Sequence, residues 1–240
     1  MADLASAGCR TLQLDVTDEQ SMRSAVAAVE AEHGRVGALV NNAGYGQYGA
    51  VEEVDLDAVR RQFETNVFGL ARMCQLVLPA MRAAGTGRIV NVSSMGGRLT
   101  FPGGGYYHAS KHAVEALSDA LRFEVAGFGV AVSVIEPGLV RTDFGSTAHE
   151  THPDAGEGPY TRLTAGSQAA IASSYSGRLA SGPAVVARAV ERAVTAAHPR
   201  SRYRVTVSGR VFLILRRLLP DAAWDAMMAR TFPRPGPQSN

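Results

Sequence analysis

Lysine is almost absent from this chain. All but one of its 24 basic residues are arginine, and the exception is Lys111. With 22 acidic residues the formal charge is only +2, and the arginines are scattered rather than clustered. That balance excludes the basic stripe of a nucleic-acid binder. Cysteine is scarce too: Cys9 and Cys74 lie far apart and form no CxxC pair, which argues against a disulfide scaffold and for a reducing setting, the cytoplasm. Long apolar runs are missing, the longest bulky one being residues 211–215, far short of a transmembrane segment. No charged-then-apolar leader opens the chain. What is present, 46% hydrophobic residues in 240, describes a single globular domain with a sizeable core, not a disordered chain.

Helical patterns alternate with short apolar runs, the signature of an α/β domain with a parallel sheet. Thr11 to Val16 reads as a strand. Thr17 with Gln20 matches a capping box, opening a helix whose apolar face is Met22, Val26 and Val29 and which Gly34 stops. Val36 to Val40 is the next strand and enters the turn Asn41-Asn42-Ala43-Gly44. A long helix follows Asp55 to about Arg82, closed by Gly85 and Gly87. Arg88 to Val92 is a strand ending in Ser93-Ser94, and Tyr107 to about Phe128 is helical. Val130 to Ile135 is a strand ending in Pro137-Gly138. Gly182-Pro183 opens a helix to about Ala197, and Tyr203 to Val207 is the last strand. Residues 144–181, rich in small and polar residues with no strong period, read as a lid inserted in a domain spanning 1–232. Residues 233–240 read as a disordered tail.

Chemistry centres on Tyr107 and Lys111. Four residues apart on a helix, phenol and ammonium share one face. A cation beside the phenol favours the phenolate and lowers a pKa of about 10, so the pair can exchange a proton with an alcohol or ketone. Arginine, planar and bulkier, cannot supply the same compact charge, which gives the sole lysine a reason. Ser94, ending the preceding strand, can reach the same reacting oxygen.

These residues resemble the short-chain dehydrogenase/reductases. Asn41-Asn42-Ala43-Gly44, Asn66, Ser93-Ser94, Tyr107-His108-Ala109-Ser110-Lys111 and Pro137-Gly138-Leu139-Val140-Arg141-Thr142 occur in that family's order, and the likeness runs from about Thr11 to Thr142. Tyr45-Gly46 and Asn66-Val67-Phe68-Gly69 look most like its hydroxysteroid-dehydrogenase-like members. The resemblance implies a Rossmann-like, doubly wound parallel sheet and an NAD(P)-dependent oxidoreductase, the choice between NAD and NADP left open. It implies Tyr107 as general acid/base, Lys111 as its tuner and a ligand of the nicotinamide ribose, Ser94 as orienter of the substrate oxygen, and Asn66 as holder of a relay water. Asp15 and Val16 would meet the adenine; Asn41, Ala43 and Gly44 would flank the adenosine ribose. Pro137, Gly138, Val140 and Thr142 would line the nicotinamide. The substrate implied is a small, apolar alcohol or ketone, and the assembly a homo-oligomer.

One departure from the family stands out. Its members begin with a strand, a Gly-rich phosphate turn, a helix and a second strand, whereas Met1 falls near the helix after that second strand. Ala7-Gly8 is no substitute for the turn. The expectation is a fold incomplete at its N-terminus, in which Thr11–Val16 lacks a neighbour. A rival reading is therefore a non-catalytic remnant, a binding or scaffold protein that has lost dinucleotide affinity.

Two further patterns carry less. His108 and His112 have metal-binding spacing but no third ligand, and His149-Glu150-Thr151-His152 is one residue short of the zinc-protease motif, so no metal is expected. The apolar segments 211–219 and 224–228 can lie on a membrane surface or close a substrate pocket or subunit contact, and the second is the favoured expectation.

Overall fold

The computed structural model describes residues 4, 6–142, 144, 151, 158–177 and 180–236. Its centre is a sheet of four parallel strands, β1 (Ala38–Asn41), β2 (Gly87–Val92), β3 (Val130–Glu136) and β4 (Arg202–Arg204), lying side by side in chain order. The middle strands are near-continuous runs of Val and Ile because both faces are covered. On one face α1 (Glu19–His33), α3 (Leu70–Ala83) and α4 (Gly105–Val125) bring Met22, Val26, Met73, Val77 and Val114 against Leu39, Ile89, Val130 and Val132. On the other, α6 (Ala184–Thr195) lays Ala189 and Ala193 on Val90 and Ile135; these small residues let the helix sit close to the strands. That cover stops short of β1, where Val40 on the same face is 39% exposed.

Several boundaries differ from the sequence expectation. Thr11 to Asp15 forms no strand and pairs with none among the described residues, and Leu12 and Leu14 face solvent. Without a ladder partner on β1's outer side, propensity alone makes no sheet. The cap of α1 is Asp18, whose carboxylate accepts from Ser21 N at 2.6 Å, while Thr17 turns back and donates to Asp15. The carboxylate captures the N–H that the capping-box reading assigned to the Thr17 hydroxyl. Gly87 opens β2 instead of closing the preceding helix, where Gly85 with φ 65° makes the turn. The last strand is only Arg202–Arg204, because Thr206 caps α7 (Val207–Leu218) by accepting from Gly209 N. Residues 161–176 within the expected lid form α5 (Thr161–Ser176), whose weak amphipathicity hid it. Residues 143, 145–150, 152–157, 178–179 and 237–240, and with them most of the histidine motif at 149–152, lie outside the described residues.

The long helix after Asp55 is one rod in three parts. α2 (Leu56–Phe63) is capped by Asp55, α3 completes it, and Glu64–Gly69 between them is wound as a π-helix. That wider turn places Asn66 in the interior, 1% exposed. β4 is held by charge. Arg202 reaches Glu115 and Asp119 on α4 and Glu136 on β3, while Arg204 takes the other oxygen of Glu136. Finally α7 and α8 (Asp221–Met228) pack Phe212, Leu215, Trp224 and Met228 around Phe101 and Leu99. These are the two apolar segments, and they close a pocket wall.

Candidate active site

The carboxyl ends of β1, β2 and β3 open into a cleft of about 710 Å³ lined by Gly44, Ser94, Tyr107, Lys111, Pro137 and Thr142 among others. Each side chain arrives by a local device. Ser94 ends β2 and caps the 3-10 turn Met95–Gly97, its hydroxyl accepting from Gly96 N at 3.0 Å. Tyr107 and Lys111 stand one turn apart on α4, both 6% exposed. The Ser94 hydroxyl stands beside the Tyr107 phenol, whose ring stacks on Tyr48 at 5.6 Å and meets Phe144 at 5.4 Å.

Electrostatics here reverse one expectation. Burial pushes the Tyr107 phenol up to about 12, with the Ser94 hydroxyl opposing it. The Lys111 ammonium donates to the Val92 carbonyl at 3.0 Å. Burial in turn pulls Lys111 down to about 8, while the Glu115 carboxylate one turn further along α4 holds it up. Desolvation outweighs the pairing in this cleft.

Asn66 is spent on architecture. Its amide oxygen accepts from Tyr45 N at 3.0 Å, and its nitrogen donates to Tyr45 O at 2.8 Å and to Ser110 Oγ at 3.0 Å. Ser110 passes the link to the Tyr107 carbonyl at 2.8 Å. Gly44 lies between this amide and the lysine. A Cβ there would come within 2.9 Å of Asn66 Oδ1 and 3.4 Å of Lys111 Nζ, so the bare backbone keeps that wall of the cleft open.

The remaining expected positions divide. Pro137, Gly138, Val140 and Thr142 line the cleft, Gly138 held by Thr206 Oγ1 at 3.0 Å. Asn41 is turned inward, its amide donating to Asn91 Oδ1 at 3.0 Å and to Cys74 Sγ at 3.3 Å. Asp15 is exposed and accepts from both the backbone and hydroxyl of Thr17; the Val16 carbonyl lies against Gly69. Neither Asp15, Val16 nor Ala43 borders the cleft. The two histidines separate: His112 is exposed, whereas His108 is buried beside Tyr107. Sequence reasoning missed Tyr48 and Tyr175, which face Tyr107 from a loop and from α5; neither belongs to a periodic pattern.

Through Tyr107 and Ser94 the cleft adjoins a second cavity of about 140 Å³, walled by Phe101, Ile171, Phe212, Met228 and Phe232. The cleft meets the requirements of a nicotinamide end: a bare glycine wall, a buried ammonium and hydroxyl donors. The glycine turn Gly103–Gly105 that opens α4 lines a different cavity and does not border this cleft.

Comparison with known proteins agrees with this geometry. A family model described as short chain dehydrogenase matches residues 2–153. The chain is 37% identical over 191 residues to an uncharacterized oxidoreductase, YbbO, of Escherichia coli, covering 79% of this chain and 66% of that protein. It is 33% identical over 221 residues to the probable short-chain type dehydrogenase/reductase VdlC of Helicobacter pylori, covering 91% and 80%. The chain thus spans about two thirds of the length of the first of these relatives. Among solved structures, a short chain dehydrogenase/reductase of Burkholderia phymatum in complex with NAD superposes with a TM-score of 0.76 at 27% identity, covering 100% of this chain and 83% of that one. The closed form of a serine dehydrogenase complexed with NADP+ superposes at 0.71 with 28% identity, covering 85% and 79%.

Proposed function

Since this chain belongs to the short-chain dehydrogenase/reductase family of oxidoreductases, we propose that it interconverts a secondary alcohol and a ketone with NAD or NADP, Tyr107 carrying the proton. The observation behind this reading is the junction of two cavities at one phenol, the polar cleft on one side and the apolar pocket on the other. When bound, the dinucleotide supplies or takes back the hydride at the carbonyl carbon.

The protein's own work follows from its geometry. A phenol held up at about 12 keeps its proton near neutrality, so Tyr107 is set to donate to the oxygen of a ketone being reduced. Ser94, beside the phenol, shares that oxygen and aims it. Lys111 places a positive charge near the ribose hydroxyls and favours the phenolate formed after donation. Asn66 holds the Tyr45 loop and, through Ser110, the start of α4; a relay water would sit against its remaining lone pair. Pro137, Gly138, Val140 and Thr142 would line the nicotinamide, with Thr142 near the carboxamide. Asp15 and Val16 would meet the adenine, and Asn41, Ala43 and Gly44 would flank the adenosine ribose.

The aromatic and aliphatic walls of the smaller cavity support an apolar, hydroxysteroid-dehydrogenase-like substrate, and the expected lid at 144–181 contributes Ser167, Ile171 and Tyr175 to them. An exposed apolar stripe on α7, Val207, Val211, Ile214 and Leu218, supports a homo-oligomer. Free thiols at Cys9 and Cys74 suit the cytoplasm. β1's outer edge pairs with no strand among the described residues. That open edge also favours the second reading, a binding protein without dinucleotide affinity.

Replacing Tyr107 with Phe tests the first reading. Turnover of any accepted ketone is expected to fall about 10²–10⁴-fold with the fold intact. Lys111→Arg is expected to impair it as well despite the retained charge. Near wild-type rates in Tyr107→Phe overturn the assignment.

A further inference from the structure

His108 follows the proposed acid/base residue in the chain, yet its ring belongs to the neighbouring cavity. It is 3% exposed, packs against Phe101 at 5.8 Å between ring centroids and against Tyr107 at 5.4 Å, and helps wall the smaller pocket. Its Nδ1 stands 3.1 Å from the Gly96 carbonyl. A carbonyl can only accept, so Nδ1 carries the hydrogen, and in a neutral imidazole Nε2 is then a bare acceptor. Burial holds the ring neutral, its pKa pulled down to about 4. Among the described residues Nε2 has no hydrogen-bond partner and is closed to solvent. Gly104 stands beside it, where a Cβ would come within 2.8 Å of that nitrogen.

A buried acceptor without a partner is uncommon in a folded protein and points to a group that arrives later. We propose that His108 Nε2 recognises the substrate, accepting a hydrogen bond from a hydroxyl or amine a few bonds from the reacting carbonyl. The inference rests on the ketone-reduction reading, since Tyr107 and Ser94 place that carbonyl at the wall His108 shares. The spacing of the two rings sets the reach: a donor on the α- or β-carbon lies near His108 while the carbonyl lies near Tyr107. The apolar remainder of the pocket then receives the rest of the molecule. Hydroxy or amino ketones would therefore be preferred over their unsubstituted counterparts, because the latter leave Nε2 unpaired in the closed complex.

Binding and turnover of propiophenone, α-hydroxypropiophenone and β-hydroxypropiophenone test this directly. Calorimetry of the wild-type chain with saturating dinucleotide is expected to show one hydroxy ketone bound about ten- to a hundredfold more tightly than propiophenone. His108→Phe is expected to abolish the preference while propiophenone still binds. His108→Gln, which keeps an acceptor, is expected to restore part of it. Equal affinity of the wild type for all three ketones, or an unchanged preference in His108→Phe, overturns the assignment; so does binding of none of them. Because binding is read separately from turnover, a binding preference without reduction of any ketone in the wild type, with Tyr107→Phe no different, would instead sink the oxidoreductase reading.

Discussion

At the scale of single residues, burial decides chemistry more than pairing does. Tyr107, Lys111 and His108 occupy one stretch of α4, and desolvation shifts all three toward their uncharged forms. For His108 this has a consequence for stability. The folded ring takes a proton only near pH 4, whereas the unfolded chain does so near 6.5. Below the unfolded value the denatured state therefore binds more protons, and stability falls as pH drops from 6.5 toward 4. The loss amounts to at most about 3 kcal/mol. Urea denaturation of the wild type and His108→Gln across that window checks it, the variant being expected to lack this part of the slope. The Tyr107–Lys111 pair was legible because a spacing of four on a helix survives any tertiary arrangement. The environment of His108 was not, because Gly96, Phe101 and Gly104 reach it from a loop whose path no periodicity records.

At the scale of elements, the strands and long helices were legible wherever apolar period and punctuation agreed. Gly34 and Gly85 end their helices with positive φ, and Asp55 caps the helix expected to follow it. The exceptions have separate physical causes. Asp18 outcompeted Thr17 for the cap, and Thr206 drew Val207 out of a strand into α7. α5 was hidden because its faces hardly differ in polarity. The π-helical turn at 64–69 left no mark in the sequence, since its extra winding is imposed by the bonds Asn66 makes to Tyr45 and Ser110. β4 is three residues long, and its attachment depends on one guanidinium serving Glu115, Asp119 and the fully buried Glu136. Arg202→Met leaves Glu115 without its cation and Glu136 with only the half-exposed Arg204. It is expected to cost about 3–5 kcal/mol in chemical denaturation. Restoring charge balance with Glu115→Gln in the same chain should recover part of the loss.

At the scale of the whole molecule, the four strands follow one another across the sheet without a reversal, and every proposed catalytic group hangs from this one-way array. In open α/β sheets ligands bind outside the carboxyl ends of the strands, which is where the cleft opens at β1, β2 and β3. The groups that would act on the reacting carbonyl stand at β2 and α4, apart from the cleft's far wall of Val40, Val186 and Val190. Reactivity and grip are therefore separable quantities. Pyrophosphate contacts, equal in ground and transition states, are uniform binding, and their loss raises KM without lowering kcat. Each charge-assisted hydrogen bond forgone weakens dinucleotide affinity by roughly one to two orders of magnitude. Where the two sit on different walls of one cleft, cofactor demand can be reset without touching the chemistry.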